Sequence, residues 1–291
     1  RSNDRDGRNA PSDAVSVSFE EEFDRDCVTI LEISAEMTIR VGVIGAAGRM
    51  GATVCSAVVA DKNLELVAAV DTASAGSVVH GIAVSSELRA LADAKVDVAV
   101  DFTVAAASRI NLPWLAMHNI HAVVGTTGFT DQDIEDFKKM FSSSNCIVAP
   151  NFAIGAVLMM RFAEIAAPFF ETAEIIEIHH DGKADSPSGT AISTAKRMAS
   201  ASNSWAQDPT KHEAIAGARG AKGPGDIPIH AVRMRGVVAN QEVVLGTQGQ
   251  TLTIRHDTID RASFMPGVVL ACKKIAEHKG FTLGLDKFLG I

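Results

Sequence analysis

Residues 38–51 read TIRVGVIGAAGRMG, and this stretch decides the fold. Thr38–Ile44 is an apolar run of strand character, and Arg49–Ala60 is a helical stretch that sets Met50, Val54, Ala57 and Val58 on one face. Between them lie Gly45, Ala46, Ala47, Gly48, Arg49, Met50 and Gly51. Glycines between a strand and a helix permit a tight turn and let backbone N–H groups approach a pyrophosphate at the helix N-terminus. The spacing is G-x-x-G-x-x-G, a variant of the usual dinucleotide fingerprint. Twenty residues after Gly51, Asp71 closes a second strand, Leu64–Val70, where a carboxylate can accept from an adenosine ribose.

The same rhythm continues. Val96–Val100 runs into Asp101-Phe102-Thr103, Ile120–Val124 into Gly125-Thr126-Thr127-Gly128, and Cys146–Ala149 into Pro150-Asn151-Phe152. Short strands separated by helices indicate parallel βαβ units, and ligands of such sheets bind at the strands' carboxyl ends. Beyond about residue 170 the texture becomes mixed. Glu174–His180, Ile229–Arg235, Gln241–Leu245 and Thr251–Thr258 are strand-like, with a hairpin at Gly246 to Gly249. The Gly-rich 217–226 reads as a mobile surface loop. Pro266–Lys279 reads as a closing helix with Val269, Cys272 and Ala276 on one face. The expected fold is α/β: a Rossmann-type dinucleotide-binding domain (37–152 and 263–291) with an inserted α+β mixed-sheet domain (153–262).

Composition narrows the function. The 291 residues carry 27 Lys+Arg against 35 Asp+Glu, a net charge of −8, with 47% hydrophobic residues and no Tyr. Residues 1–36 hold four Arg and ten acidic groups, so six of those charges precede Met37, and the remainder is nearly neutral. That segment is read as an acidic, disordered extension with Met37 as the working start. A near-neutral body offers no electrostatic footprint for nucleic acid. No apolar run reaches membrane-span length, and the start resembles neither a signal nor a transit peptide. The four cysteines form no CxxC pair and no ligand spacing, so reduced thiols, a cytoplasmic setting and no metal are expected.

The chemistry is concentrated in 177–191, EIHHDGKADSPSGTA. His179 and His180 end a strand and point to opposite faces. Lys183 follows in a turn, and Ser188, Gly189 and Thr190 open a helix whose first N–H groups attract anions such as a carboxylate. Taken singly, the histidines are equally a packed strand-end pair, Lys183 a solvated loop charge and Ser188 a helix cap. Their combination beside a dinucleotide cradle argues for a site.

GAAGRMG at 45–51, VDFT at 100–103, GTTG at 125–128, APNF at 149–152 and the HHxxKxDxPSGT string at 179–190 together resemble the dihydrodipicolinate reductase family, in order along residues 37–291. The resemblance implies reduction of 4-hydroxy-tetrahydrodipicolinate, a small dicarboxylate, by NADH or NADPH, in lysine and diaminopimelate biosynthesis, by a homotetramer. It implies that Gly45 to Gly51 hold the pyrophosphate and Asp71 the ribose. Phe102, Gly125, Thr126, Thr127 and Gly128, with Ala149, Pro150, Asn151 and Phe152, would line the nicotinamide side. His179 would be the general acid/base and Lys183 a proton donor, and His180, Ser188, Gly189, Thr190 and Thr127 would bind substrate. The 36-residue extension has no family counterpart. Thr72 follows Asp71 where NADPH-preferring members carry Arg, which favours NADH or dual use. Alternatives are another two-domain Rossmann reductase, such as an aspartate-semialdehyde type with Cys146 as nucleophile, or an inactive dinucleotide sensor.

Overall fold

The computed structural model describes residues 38–291; the acidic extension, with Met37 and Cys27, lies outside them. Strands β1 (Ile39–Ile44), β2 (Leu64–Val70), β3 (Val78–Val79), β4 (Ile82–Ser85), β5 (Val98–Asp101), β6 (His121–Val124) and β7 (Cys146–Val148) form one sheet with a late strand, Phe281–Leu283. A second sheet holds β8 (Thr172–His179), β9 (Ala221–Lys222), β10 (Pro228–Arg233), β11 (Ala239–Thr247) and β12 (Gln250–Thr258). With the late strand as β13, the first order is β13-β7-β6-β5-β1-β2-β4-β3, parallel except for the β3–β4 pair. The chain leaves β1 in one direction to β2 and returns on its other side at β5. That reversal opens a crevice at the carboxyl ends of β1 and β5.

Helices α1 (Arg49–Ala60), α2 (Arg89–Asp93), α3 (Ala105–Met117) and α4 (Asp131–Met140) connect these strands, and α5 (Ile154–Ala166) leads to the second sheet. There α6 (Gly189–Ala201) packs, and α7 (Met265–Lys274) and α8 (Asp286–Leu289) return to the first sheet. Strand residues alternate between two apolar cores. Val41, Val43, Val98, Val100, Val123 and Ile147 enter one, while Ile44, Ala99, Ala122, Val124 and Val148 enter the other. A sheet covered on both faces explains why these strands read as continuous apolar runs.

Two helices sit differently from the sequence reading, for one reason. On α1 the buried residues are Gly51, Val54, Cys55 and Val58, and Met50 and Ala57 are only partly buried. A Cβ on Gly51 would lie 1.9 Å from the Gly45 carbonyl oxygen, so α1 approaches the turn through its glycine and is rotated accordingly. On α7 a Cβ at Gly267 would lie 2.1 Å from the Phe152 oxygen. The buried stripe is therefore Val268, Ala271, Cys272 and Ile275; Val269 is partly buried and Ala276 exposed. Substituting Gly51→Ala is expected to destabilise the fold by about 2 kcal/mol or more in a urea melt, because the obstructing atom is backbone.

The second sheet runs β12-β11-β8-β10-β9, with β8 and β10 parallel and the rest antiparallel. The 217–226 stretch, read as a loop, lends it an edge strand: Ala221 and Lys222 pair with Ile229 and Pro228. A Cβ on Gly225 would meet the Ala199 Cβ at 2.7 Å, so this segment packs on α6. Among the described residues no helix is long and apolar enough to cross a membrane.

Candidate active site

The turn after β1 is shaped as its glycines require. Gly45 has φ +80°, its N–H and that of Ala46 donate to Val70 O at 2.8 and 3.2 Å, and Gly48 N–H donates to Gly45 O at 3.0 Å. Gly48 caps α1 without a side-chain hydrogen bond, and no acidic residue stands in the first turn. An uncapped, acid-free helix N-terminus beside exposed Ala47, Gly48 and Arg49 suits a pyrophosphate. Asp71 Oδ2 accepts from the Ala47 N–H at 3.2 Å and Oδ1 from the Ala73 N–H at 3.0 Å, which holds the acid against the turn. These residues fit a dinucleotide.

At the ends of β5 and β6 the side chains divide. Gly125 makes room for Phe102, whose Cε1 would lie 2.1 Å from a Cβ there. Thr126 is buried: its hydroxyl donates to Asp101 Oδ1 at 3.2 Å and accepts from the Thr103 N–H at 3.0 Å. Thr127 and Gly128 are exposed. Sequence reading gave no role to Asp101, which is fully buried and forms the hub of this rim. It also accepts from the Thr103 N–H and hydroxyl, Ser108 Oγ and Asn111 Nδ2, at 2.6 to 3.2 Å. Past β7, Ala149 and Phe152 are buried, so they can offer a ligand little beyond backbone; Pro150 is exposed and Asn151 half-buried.

The 177–191 segment delivers its side chains to the junction of the two sheets. His179 and Glu177, two residues apart on β8, share a face, and the His179 Nδ1 bonds Glu177 Oε2 at 2.5 Å. Glu177 is fully buried. Arg233 of β10, paired in register with His179 of β8, grips the Glu177 carboxylate with both terminal nitrogens at 2.9 Å, and the Ser188 N–H donates to Glu177 Oε1 at 3.1 Å. Burial works to raise the Glu177 carboxyl, but the hydrogen bonds from Arg233 and His179 prevail and hold it below 4.5. Burial lowers His179 below 6.5; Glu177 opposes this, while Lys183 and Arg233 act with burial. A carboxylate partner fixes the proton on Nδ1 and leaves Nε2 for exchange.

Ser188 caps α6: its Oγ accepts from the Ala191 N–H at 3.2 Å, and the residue is buried. Its backbone N–H is already committed to Glu177. Gly189 is exposed and faces open space, since a Cβ there would meet nothing within 4 Å. Thr190 Oγ1 accepts from Asn151 Nδ2 at 3.4 Å, so the start of α6 touches the end of β7. Lys183 pairs with Asp185 at 2.7 Å, and His180 is half-buried beside Gly182. His179, Thr190, Pro150 and Asn151 line one cavity of about 170 Å³; Lys183, His180 and the GTTG loop are not in its wall. A larger cavity, about 950 Å³, lies under residues 199–228 and holds none of the predicted site residues.

Glu177 and Arg233 are the principal residues sequence reading missed. Glu177 carried a signal, its i, i+2 relation to His179 on a strand, whereas Arg233 is 56 residues away and carried none. Cys146, the nucleophile a semialdehyde-type enzyme would need, is buried inside β7, and burial first, then Asp101, raises its thiol well above 9.0. A thiol held protonated and shielded is inert.

Family models for the dihydrodipicolinate reductase N-terminus and C-terminus match residues 39–152 and 155–289. The chain belongs to the dihydrodipicolinate reductase family. A 4-hydroxy-tetrahydrodipicolinate reductase of Corynebacterium urealyticum is 49% identical over 259 residues, covering 87% of this chain and 99% of that relative. The Nocardia farcinica 4-hydroxy-tetrahydrodipicolinate reductase is 49% identical over 262 residues, 88% of this chain and all of that one. Among solved structures, dipicolinate-bound dihydrodipicolinate reductase from Paenisporosarcina sp. TG-14 superposes with a TM-score of 0.78 at 40% identity, covering 86% of this chain and 99% of that one. Family membership makes the chain a nicotinamide-dependent oxidoreductase on an α/β scaffold.

Proposed function

We propose that this chain reduces 4-hydroxy-tetrahydrodipicolinate to tetrahydrodipicolinate with loss of water, a step of lysine and diaminopimelate biosynthesis. The observation that carries the reading is the Glu177–His179–Arg233 cluster, whose histidine shares a cavity with the start of α6 and the end of β7. A reduced nicotinamide, held by the Gly45 to Gly51 turn and Asp71 with its ring toward Phe102, Gly125 to Gly128 and Ala149 to Phe152, would supply hydride. Electron density arriving on the ring needs a proton, and His179 delivers it from Nε2, with Glu177 steadying the imidazolium. Lys183 and the open N-terminus of α6 at Gly189 and Thr190, with His180 and Thr127 as further contacts, would offset the charge of two carboxylates, while Ser188 holds that helix end in place by capping it. Closure of the two halves, divided at 37–152 with 263–291 against 153–262, would exclude water from that path.

The decisive assay follows loss of nicotinamide absorbance when the lysine-pathway synthase supplies the substrate. Absence of turnover would leave the dinucleotide-sensor reading. NADH, or use of both cofactors, is favoured, since Asp71 is followed by Thr72-Ala73-Ser74 without a cation. Asp71→Ala should weaken NADH binding about 10- to 100-fold and NADPH far less, measured by fluorescence titration. Equal losses would remove Asp71 from ribose recognition. A homotetramer in the cytoplasm is proposed on the family resemblance; the outer face of the second sheet, with Ile176, Ile178 and Val244 half-buried and Val232 exposed among charged neighbours, is a candidate subunit contact, and sedimentation checks the oligomeric state.

A further inference from the structure

Strand register places Gln241 of β11 opposite Glu177 of β8 on one side and His256 of β12 on the other, so the three share the inner face of the second sheet. The neighbouring row is Arg233, His179, Ala239 and Thr258, and the row behind is apolar, with Ile175 and Val243 fully buried. Gln241 is an uncharged amide set where that face turns from core to site, and it is only 4% exposed.

The orientation of its amide follows from its neighbour. The Thr194 hydroxyl donates to the Thr190 carbonyl at 2.8 Å, which leaves only its lone pairs for Gln241. Gln241 Nε2 therefore donates to Thr194 Oγ1, at 2.7 Å. Its Oε1 finds no donor among the described residues, although it is buried. A buried acceptor without a partner is costly, and such atoms call for an explanation. Gln241 also lines the cavity of about 170 Å³ that His179, Thr190, Asn151, Asn240 and His256 enclose.

We propose that Gln241 is a substrate-recognition residue whose Oε1 accepts a hydrogen bond from a donor on the non-aromatic ring, its hydroxyl or its protonated nitrogen. The inference rests on the reductase reading above and deepens it. A site built around a buried acceptor discriminates against a ligand that brings no donor, because the acceptor is then left unpaired. Dipicolinate is such a ligand: its ring is aromatic, carries no hydroxyl, and its nitrogen is unprotonated at neutral pH.

The test compares wild type with Gln241→Met, which keeps volume and removes the acceptor, and with Gln241→Asn, which keeps an amide but withdraws it by one methylene. With 4-hydroxy-tetrahydrodipicolinate, kcat/KM should fall about 10- to 100-fold in both, mainly through KM. Inhibition by dipicolinate should not weaken in either variant and should tighten in Gln241→Met, where no acceptor is left unpaired, while the Kd for NADH stays within about threefold. Equal weakening of substrate and dipicolinate would mean a general loss of shape and would overturn the proposal. Weakened NADH would assign the cavity to the cofactor, and unchanged kcat/KM would leave Oε1 to solvent; either result also overturns it. A wild-type protein that fails to turn over substrate sinks the reductase reading before any variant is measured, so the two failures remain distinct.

Discussion

His179→Gln should lower kcat by about 10²–10⁴-fold while the NADH dissociation constant stays within a factor of about three. Glutamine can retain a hydrogen bond to Glu177 but cannot deliver a proton, so the loss isolates the proton transfer from the geometry. Stopped-flow measurement of cofactor oxidation, paired with a fluorescence titration of NADH, checks both halves. Unchanged turnover would remove His179 from the mechanism. The wild-type pH profile carries a related signature. Burial holds the free histidine below 6.5, so the group seen in kcat/KM should titrate below that value, with rate falling as pH rises through it. A bound dicarboxylate favours the imidazolium, so the corresponding limb of kcat should lie at higher pH.

Glu177→Gln is expected to damage both stability and catalysis. The carboxylate is fully buried, and Arg233 is left without its charge partner when it is neutralised. Breaking one side of such a pair typically costs about 3–5 kcal/mol, which a urea melt at neutral pH would register. The sign of the pH dependence is fixed by the direction of the shift. The folded-state value lies below 4.5, so the carboxylate's contribution is complete above 4.5 and disappears as pH falls through the lower folded value. The stability gap between wild type and variant should therefore be full at pH 7 and close in acid. Catalytically, Glu177 is the group that raises His179 against burial, Lys183 and Arg233. Its removal should carry the limb of kcat/KM further toward acid and lower kcat about 10- to 100-fold, by analogy with the loss seen when metal-ligating histidines lose the carboxylate that orients them. A variant that loses stability but keeps the wild-type pH profile would reduce Glu177 to a structural part.

The two effects differ in how far the sequence announced them. His179 stands in a string whose residue types and spacing carry the chemistry. Arg233 contributes equally to the geometry around it, yet nothing near position 233 marks it, because its place opposite His179 is set by parallel pairing of β8 and β10. Thr126 and Ser188 show the converse. Both sit inside motifs that point toward ligands, and both turn inward, one to the Asp101 hub and the other to cap α6. The α1 and α7 faces departed from periodicity for a similar reason: a glycine contact with facing backbone, at Gly51 and Gly267, sets the helix rotation and not the tally of apolar side chains.

The cradle after β1, the acid at the end of β2, the alternation of strands and helices, and the histidine-lysine-helix string were all legible from residue order. Each is written in contiguous residues whose local conformation follows from their own chemistry. Tertiary structure alone decided that Glu177 is clamped by Arg233, that Asp101 organises the rim of β5 and β6, and that Gln241 keeps a buried acceptor beside His179. The Glu177 clamp and the Gln241 acceptor depend on the register between strands remote in sequence, whereas Asp101 gathers the turn into α3 and adds Thr126 through β5–β6 pairing. A one-residue slip of β11 against β8 would turn Gln241 to the opposite face, and no local pattern at 239–247 distinguishes the two.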